Sequence, residues 1–301
     1  DYVYGMPKSE AVDFVLANMS DDGRFCFGTS EFYFNADLIP EIALKVFGDN
    51  NPGVDMTLIG EPFDQSLWQA IAAGAYCAHA KNKECMLFVS PQWFFKSGGA
   101  QNKFSGKFNY ELYRNFCQNT MLSQTTKDKV RERARELGIS SDTLAAANQD
   151  TPFDTLNDLQ IHEEKTLRIR SELEKMIQGS PSKSKTRLQG IPTGEPDWEA
   201  WLEQATTDGQ ARCTNNEIGV YDSYWEKNKN YQSERGQNFD EAESEWSDLS
   251  LFLDVTRECG MSVLMIMLPM HGPGYDHVGI TERQRAAWYA RVSAVAESAG
   301  A

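Results

Sequence analysis

Four short, continuously apolar runs constrain the fold of this chain more than any other feature of its sequence. They lie at 24–29 (RFCFGT), 56–59 (MTLI), 85–90 (CMLFVS) and 262–268 (SVLMIML). Runs of this length without polar alternation are typical of strands that are covered on both faces, as in a parallel sheet. Helical patterns at 37–47 and 64–82 separate the first three runs. This alternation predicts an α/β fold, a three-layer α/β/α sandwich with a mostly parallel sheet.

The middle of the chain has a different pattern. Between 109 and 179 the sequence is helical and highly charged, and 179–194 (GSPSKSKTRLQGIPTG) is predicted to be an exposed loop. Further helices are expected at three places: around Trp198 and Trp201, at about 239–259 and at about 281–296. We interpret 109–238 as a large helical insertion within one domain that spans 1–301.

Charge and composition exclude several classes of protein. The chain has 44 acidic and 29 basic residues, a formal net charge of −15, which argues against binding along nucleic acid. No apolar stretch reaches the length of a membrane span, and no signal peptide is visible at the N-terminus. The six cysteines form no C-x-x-C pair, and we expect them to be mainly buried thiols. No metal-ligand spacing or phosphate-binding glycine loop occurs, so no metal or other cofactor is predicted.

Three strand ends carry residues that suit acyl-transfer chemistry. Ser30 follows the first strand, where a hydroxyl on a turn can meet backbone N–H groups and act as a nucleophile. Gly60 follows the second strand and Gln92 the third, and each can offer an N–H group to an oxyanion. The simpler alternatives are that Ser30 only caps a helix, that Gly60 is only a turn glycine and that Gln92 only belongs to a proline turn. A nucleophile followed by oxyanion donors is nevertheless the arrangement of SGNH-type serine hydrolases.

Several segments resemble one family. The segment 28–32 (GTSEF) is similar to the GSSEF nucleophile motif of the DltD family, and 90–94 (SPQWF) matches that family's SPQWF motif in full. The segment 269–279 (PMHGPGYDHVG) resembles the family's PVNGKWYDYTG. Weaker matches occur at 215–219 (NNEIG) and 246–249 (WSDL). The resemblance to the DltD family, whose members act in D-alanyl-lipoteichoic acid biosynthesis, covers nearly the whole chain.

The resemblance implies a function. It implies an extracytoplasmic, SGNH-hydrolase-like enzyme that places D-alanyl esters on lipoteichoic acid, a polyglycerol phosphate, at the outer face of the Gram-positive membrane. Ser30 matches the family's catalytic serine and would carry a transient D-alanyl ester, with Ser30, Gly60 and Gln92 forming the oxyanion hole. The implied partners are lipoteichoic acid and a membrane O-acyltransferase. An N-terminal transmembrane anchor is expected that this chain does not contain.

The catalytic base is the point at which this sequence departs from the family pattern. The family carries its Asp and His as D-x-x-H near the C-terminus, after one more strand, and this sequence contains no D-x-x-H. We therefore expect a truncated domain, with that strand and motif beyond Ala301. His271 and His277, in the loop after the fourth strand, are the substitute candidates for the base.

Three further residues are candidates for the substrate pocket. Trp68 and Trp93 can flank a D-alanyl ammonium group, and Glu31 can pair with it. The simpler interpretations are that both indoles pack against neighbouring helices and that the Glu31 carboxylate favours a helix start.

Two other functions remain open. An SGNH-type O-acyl esterase or thioesterase would use the same serine on another acyl carrier. A non-catalytic protein that binds and escorts lipoteichoic acid or the D-alanine carrier would need neither Asp nor His.

Overall fold

The computed structural model describes residues 2–3, 6–32, 55–95, 103–179, 197–230, 239 and 242–301. Within them, five parallel strands form one sheet in the order β1-β3-β2-β4-β5. The strands are Tyr2–Val3 (β1), Arg24–Phe27 (β2), Met56–Ile59 (β3), Glu84–Val89 (β4) and Ser262–Met267 (β5). All four predicted strands are confirmed to within two residues at each end, and β1 adds a short edge strand beside β3.

The sheet is apolar on both faces, as the uninterrupted hydrophobic runs predict. On β2, Phe25 and Phe27 belong to the large hydrophobic core, whereas Cys26 belongs to a smaller cluster with Phe32. On β4, Leu87 faces the large core and Phe88 packs against the smaller cluster. The predicted three-layer α/β/α class with a parallel sheet is confirmed.

Helices surround the sheet and fill the middle of the chain. The first group comprises Met6–Glu10 (α1), Val12–Ala17 (α2), Ser66–Tyr76 (α3) and Phe104–Lys107 (α4). The central group comprises Tyr110–Gln118 (α5), Gln124–Glu136 (α6), Ser141–Asn148 (α7), Pro152–Gly179 (α8), Trp198–Arg212 (α9) and Asp222–Asn228 (α10). The last group comprises Glu243–Glu258 (α11), Gly272–His277 (α12) and Glu282–Ala299 (α13). Residues of α3, α11 and α13 contribute to the large core.

Most helix predictions agree with these bounds. The helical pattern at 109–179 corresponds to α5 to α8, and the helix predicted at 64–82 ends earlier, at Tyr76, where a short 3₁₀ turn follows. The predicted helix at 37–47 lies outside the described residues, and so does the predicted loop at 179–194 except for Gly179, which is the last residue of α8. In the described residues, helices α4 to α10 lie between β4 and α11. The interpretation of 109–238 as a helical insertion within a single domain stays a prediction.

Most cysteine thiols are buried, as expected. The buried ones are Cys26, Cys77, Cys85, Cys117 and Cys259, and Cys213 is partly exposed. All six are free thiols in this structure. Their placement in the core agrees with the role of small hydrophobic residues.

The strand order defines where a ligand crevice is expected. From β2 the chain continues to β3 on one side of the sheet, whereas from β4 it continues to β5 on the other side. The loops that follow the adjacent strands β2 and β4 therefore lead in opposite directions. This point is a topological switch point, the position at which open α/β sheets bind ligands. Residues 28–32 and 90–94 form the beginnings of these two loops.

A buried carboxyl group at the start of α11 supports the first turn of α3. Glu245 Oε1 accepts hydrogen bonds from the Ser66 N–H group at 3.2 Å and from Ser66 Oγ at 2.7 Å. Burial raises the pKa of Glu245 to about 7, and repulsion by Asp248 contributes to the increase. Burial also raises the pKa of Asp248, to about 6, although the guanidinium of Arg133 opposes this shift.

We expect Glu245 to make the stability of the protein depend on pH. The folded state holds a proton that the unfolded chain releases, so this contribution is complete at acidic pH and is lost as the pH rises through about 7. The variant Glu245→Gln keeps an acceptor for Ser66 and lacks the titration. Between about pH 5 and pH 8, the free energy of unfolding of the wild type should fall by up to about 3 kcal/mol more than that of this variant. Urea unfolding at several pH values measures this, with the exposed Glu199→Gln as control. Parallel pH curves for wild type and Glu245→Gln would contradict it.

Candidate active site

Ser30 lies on a tight turn directly after β2. The Gly28 N–H group still donates to the Ile59 carbonyl of β3, at 3.0 Å. A 3₁₀ turn then covers Ser30–Phe32, and the Phe32 N–H group donates to the Thr29 carbonyl at 3.1 Å. Phe32 is buried, whereas Ser30 stays partly exposed. The turn thus anchors an aromatic ring in the smaller cluster and leaves the serine accessible.

Gln92 reaches Ser30 from the neighbouring loop. It lies on a 3₁₀ turn, Pro91–Phe94, that begins directly after Ser90. The Gln92 Nε2 atom is 3.5 Å from Ser30 Oγ, at the outer limit of a hydrogen bond. Two residues that are 62 positions apart in the sequence therefore meet at the switch point of the sheet. An amide donor therefore lies beside a hydroxyl at the carboxyl end of the sheet.

Gly60 allows the ends of β2 and β3 to approach each other closely. A Cβ atom on Gly60 would lie 2.4 Å from the carbonyl oxygen of Gly28 and 3.0 Å from the Thr29 nitrogen. These are backbone atoms, so they cannot move aside as a flexible side chain can. Only glycine fits here, and its backbone lies next to the turn that carries Ser30.

Glu31 bridges the two loops. Its Oε1 atom accepts from the Thr29 N–H group at 2.8 Å, and its Oε2 atom accepts from Ser90 Oγ at 3.1 Å. Burial raises the pKa of the Glu31 carboxyl above its usual value, while the hydrogen bonds from backbone N–H groups and from Ser90 oppose the increase. Both of its oxygens already accept hydrogen bonds within the protein.

The two tryptophans differ in position. Trp68 is buried in α3, and its Nε1 donates to the Lys107 carbonyl at 3.1 Å. Trp93 is partly buried beside Gln92, and its ring centroid is 6.0 Å from that of Phe63. Phe63 is 39% exposed and has a φ of +75°, a conformation that is rare for an aromatic residue. An aromatic pair therefore lies on the loops after β3 and β4, while Trp68 belongs to the core. The roles of both tryptophans in a substrate pocket stay predictions.

A buried acidic group supports the loop after β3. Asp64 Oδ2 accepts from the Glu61 N–H group at 2.8 Å, and Glu61 itself pairs with Lys107 at 2.9 Å. Burial raises the pKa of Asp64 well above its usual value, and the charge of Glu61 adds to this effect. The Glu61 carbonyl also accepts from Thr29 Oγ1, at 3.3 Å, which connects this loop to the Ser30 turn.

The two histidine candidates make their contacts elsewhere. His271 caps α12, where its Nδ1 accepts from the Gly274 N–H group at 3.1 Å. The His277 ring packs on Trp225 of α10, with centroids 5.0 Å apart. Within the described part of the chain, neither imidazole hydrogen-bonds to Ser30. A catalytic role for either histidine stays a prediction.

Comparison with known proteins identifies the family. The model of the DltD protein family matches residues 9–301. The chain belongs to the DltD family. It is 24% identical to Protein DltD of Staphylococcus aureus (strain NCTC 8325 / PS 47) over 283 residues, which cover 91% of this chain and 70% of that protein. It is 21% identical to Protein DltD of Bacillus subtilis (strain 168) over 278 residues, which cover 89% of this chain and 70% of the relative.

The structure brings together the two segments with the strongest resemblance to DltD motifs. GTSEF at 28–32 and SPQWF at 90–94 start the two loops of the switch point, and Ser30 and Gln92 are their contacting residues. The helices that the structure describes include none long and apolar enough to cross a membrane. The two segments that resemble DltD motifs most closely thus lie together at the carboxyl end of the sheet.

Sequence reasoning gave no role to two residues that support this site. Ser90 donates to Glu31, and Gln69 of α3 donates from its Nε2 to the Gly28 carbonyl at 2.9 Å. Gln69 carried a signal, because it is a polar residue within an otherwise apolar helix, SLWQAIAAGAY, that is buried throughout. A buried polar side chain needs a partner, and here the partner is the carbonyl of Gly28, the first residue of the GTSEF segment.

Proposed function

We propose that this DltD-family chain acts in the D-alanylation of lipoteichoic acid by covalent acyl transfer through Ser30. The observation that carries this function is the 3.5 Å approach of the Gln92 amide to Ser30 Oγ at the switch point of the parallel sheet. Membership of the DltD family supports the choice of pathway. An extracytoplasmic location, next to a membrane O-acyltransferase and the polymer, is part of the same proposal.

The reaction has two steps. Ser30 Oγ attacks the carbonyl carbon of a D-alanyl ester or thioester, the bond from that carbon to the carrier breaks, and the carrier leaves with the proton lost by Ser30. A glycerol hydroxyl of the polymer then attacks the D-alanyl ester on Ser30. It passes its proton back to Ser30 as the new ester forms. Covalent catalysis thus splits one transfer into two easier displacements.

The surrounding groups have distinct tasks in these steps. Negative charge develops on the carbonyl oxygen when Ser30 attacks, and the Gln92 amide with the backbone N–H groups of Ser30 and Gly60 would stabilise it. A base has to take the proton of Ser30, and a histidine oriented by an aspartate is the usual solution. The D-x-x-H segment of the family is our candidate for this base, with His271 and His277 as substitutes.

One observation favours a second function. In the described residues the imidazoles of His271 and His277 are engaged with α12 and α10 rather than with Ser30. A protein that binds and escorts the polymer or the D-alanine carrier needs no base. An esterase or thioesterase would need the same base as the transferase, and is distinguished from it by the acyl acceptor.

Labelling by a fluorophosphonate, followed by intact-mass spectrometry, tests the role of Ser30. The reagent forms a phosphonyl ester with an activated serine and releases fluoride. We expect one adduct per molecule for the full-length protein, and none for Ser30→Ala. The variant Ser298→Ala, which removes an exposed serine hydroxyl of α13, should label like the wild type. Labelling of the 301-residue chain that disappears in His271→Gln or His277→Gln would identify that histidine as the base.

The other outcomes separate the competing functions. An unchanged adduct in Ser30→Ala would refute the nucleophile, and no adduct in any form would favour the escort protein. Transfer is then separated from hydrolysis by incubating the labelling-competent protein with a D-alanyl thioester and short glycerol-phosphate oligomers. Esterified oligomers indicate a transferase, whereas free D-alanine alone indicates an esterase or thioesterase.

A further inference from the structure

We propose that Glu31 is a positioning residue, which fixes the distance between Ser30 and Gln92 by bridging the loops after β2 and β4. This inference rests on the proposed function of Ser30. One carboxylate oxygen of Glu31 accepts from the Thr29 N–H group at 2.8 Å, on the Ser30 turn. The other accepts from Ser90 Oγ at 3.1 Å, at the start of the loop that carries Gln92.

The sheet alone does not fix the relation between these two loops. The register of β2 with β4 pairs Phe25 with Cys85, Cys26 with Met86 and Phe27 with Leu87. The pairing ends there, so Ser30 and Gln92 lie three and five residues beyond its last pair. Contacts beyond the paired residues then help to set the distance from Ser30 Oγ to the Gln92 amide. Glu31 supplies such a contact with a single side chain.

A bridge of this kind needs a side chain that can hydrogen-bond at both ends. An ionised carboxylate offers two charged acceptor oxygens, whereas the amide of glutamine has one neutral acceptor oxygen and a donor nitrogen. A glutamine at this position can still accept from Thr29 and donate to Ser90 Oγ, because a hydroxyl also accepts, but both hydrogen bonds lose the charge that strengthens them. Burial raises the pKa of Glu31, and the hydrogen bonds to its oxygens work against that increase. The bridge therefore also favours the ionised form, in which its hydrogen bonds are strongest.

The neighbouring glycine leaves room for this carboxylate. A Cβ atom on Gly28 would lie 2.8 Å from Glu31 Oε1 and 2.5 Å from the ring of Phe32. The Glu31 side chain thus folds back over the end of β2 and lies directly against the backbone there. This packing explains how a residue adjacent to Ser30 can reach Ser90 on another strand end.

Substitution of Glu31 tests the positioning role through the kinetics of labelling at Ser30. A displacement of about 1 Å in a reacting group typically costs about 100-fold in rate. We expect the maximal labelling rate to fall about 100-fold in Glu31→Ala and about 10-fold in Glu31→Gln. The reagent concentration at half-maximal rate should change less than about threefold in both variants, because the rate and not the binding of the reagent depends on orientation.

The matched control is Glu61→Gln. Glu61 is also a largely buried acid beside the Ser30 turn, but its carboxylate pairs with Lys107 and does not bridge the two loops. We expect this variant to label within about threefold of the wild type. An equal loss in Glu61→Gln and Glu31→Gln would show that negative charge near Ser30 is what matters, and would overturn the positioning role.

A second measurement keeps the inference testable without any chemistry at Ser30. Amide hydrogen exchange at Thr29 should be at least about tenfold faster in Glu31→Ala than in wild type, because this N–H group loses its acceptor. Ser30 labelling at the wild-type rate in both Glu31 variants would refute positioning while leaving Ser30 as the nucleophile. Unchanged exchange at Thr29 would refute the bridge itself. If wild-type Ser30 does not label, the proposed function and the positioning role both fail, whatever the exchange shows.

Discussion

Gly60→Ala is expected to lower the free energy of unfolding by about 3 kcal/mol and to slow labelling of Ser30 about 100-fold. The added methyl group would lie 2.4 Å from the Gly28 carbonyl oxygen and 2.5 Å from its carbon. The ends of β2 and β3 have to separate, which strains the hydrogen bond from Gly28 to Ile59 and the one from Gln69 to Gly28. Urea unfolding and the fluorophosphonate rate measure the two effects.

The control for this substitution is another glycine with free space around it. A Cβ atom on Gly106, in α4, would meet no atom within 4 Å. Gly106→Ala should therefore change the free energy of unfolding by no more than about 1 kcal/mol and leave labelling unchanged. A Gly60→Ala protein as stable and as reactive as Gly106→Ala would show that the strand ends can relax, and the close approach would then have no role.

Asp158→Asn is expected to destabilise the protein by about 3–5 kcal/mol. Asp158 is fully buried in α8, and its carboxylate accepts from Tyr110 Oη at 2.9 Å, from Arg114 Nε at 2.8 Å and from Gln149 Nε2 at 2.8 Å. Asparagine removes the charge that balances Arg114. Its NH2 group also faces at least one of the three groups that donate to Asp158, so that hydrogen bond is lost. Urea unfolding, followed by far-ultraviolet circular dichroism, measures the loss.

The shape of that transition also tests the domain organisation. A single cooperative transition in wild type and in Asp158→Asn would agree with helices that unfold together with the sheet. Two transitions, of which only one shifts, would contradict the single domain. The exposed Glu174→Gln of the same helix, which loses a pair with Arg170, should change stability by no more than about 0.5 kcal/mol. A similar loss in both variants would refute the special role of Asp158.

Much of the sheet and part of the site could be predicted from the sequence. The strands β2 to β5 are continuous apolar runs, and such runs are informative because both faces of the sheet are covered. The order of the strands places the loops that begin with 28–32 and 90–94 at the switch point. Residues at the ends of apolar strands were therefore sensible candidates, and Ser30 and Gln92 do meet there.

Other features could not be predicted, because local pattern does not encode them. β1 has only two residues, too few to show any periodicity. The bridge from Glu31 to Ser90 joins residues 59 positions apart, and neither residue differs in type from an ordinary surface residue. The clash that restricts residue 60 to glycine depends on how closely two strand ends approach. Such distances depend on the packing of the whole fold.

The crossover that brings β4 beside β2 has a consequence for the stage of folding at which the candidate site forms. Ser30 and Gln92 approach each other only after β3, α3 and β4 have all been made and have joined β2. Contacts between residues so far apart in the sequence form late in folding, because a long loop must close first. A growing chain therefore lacks the pairing of Ser30 with the Gln92 amide until the sheet has assembled as far as β4.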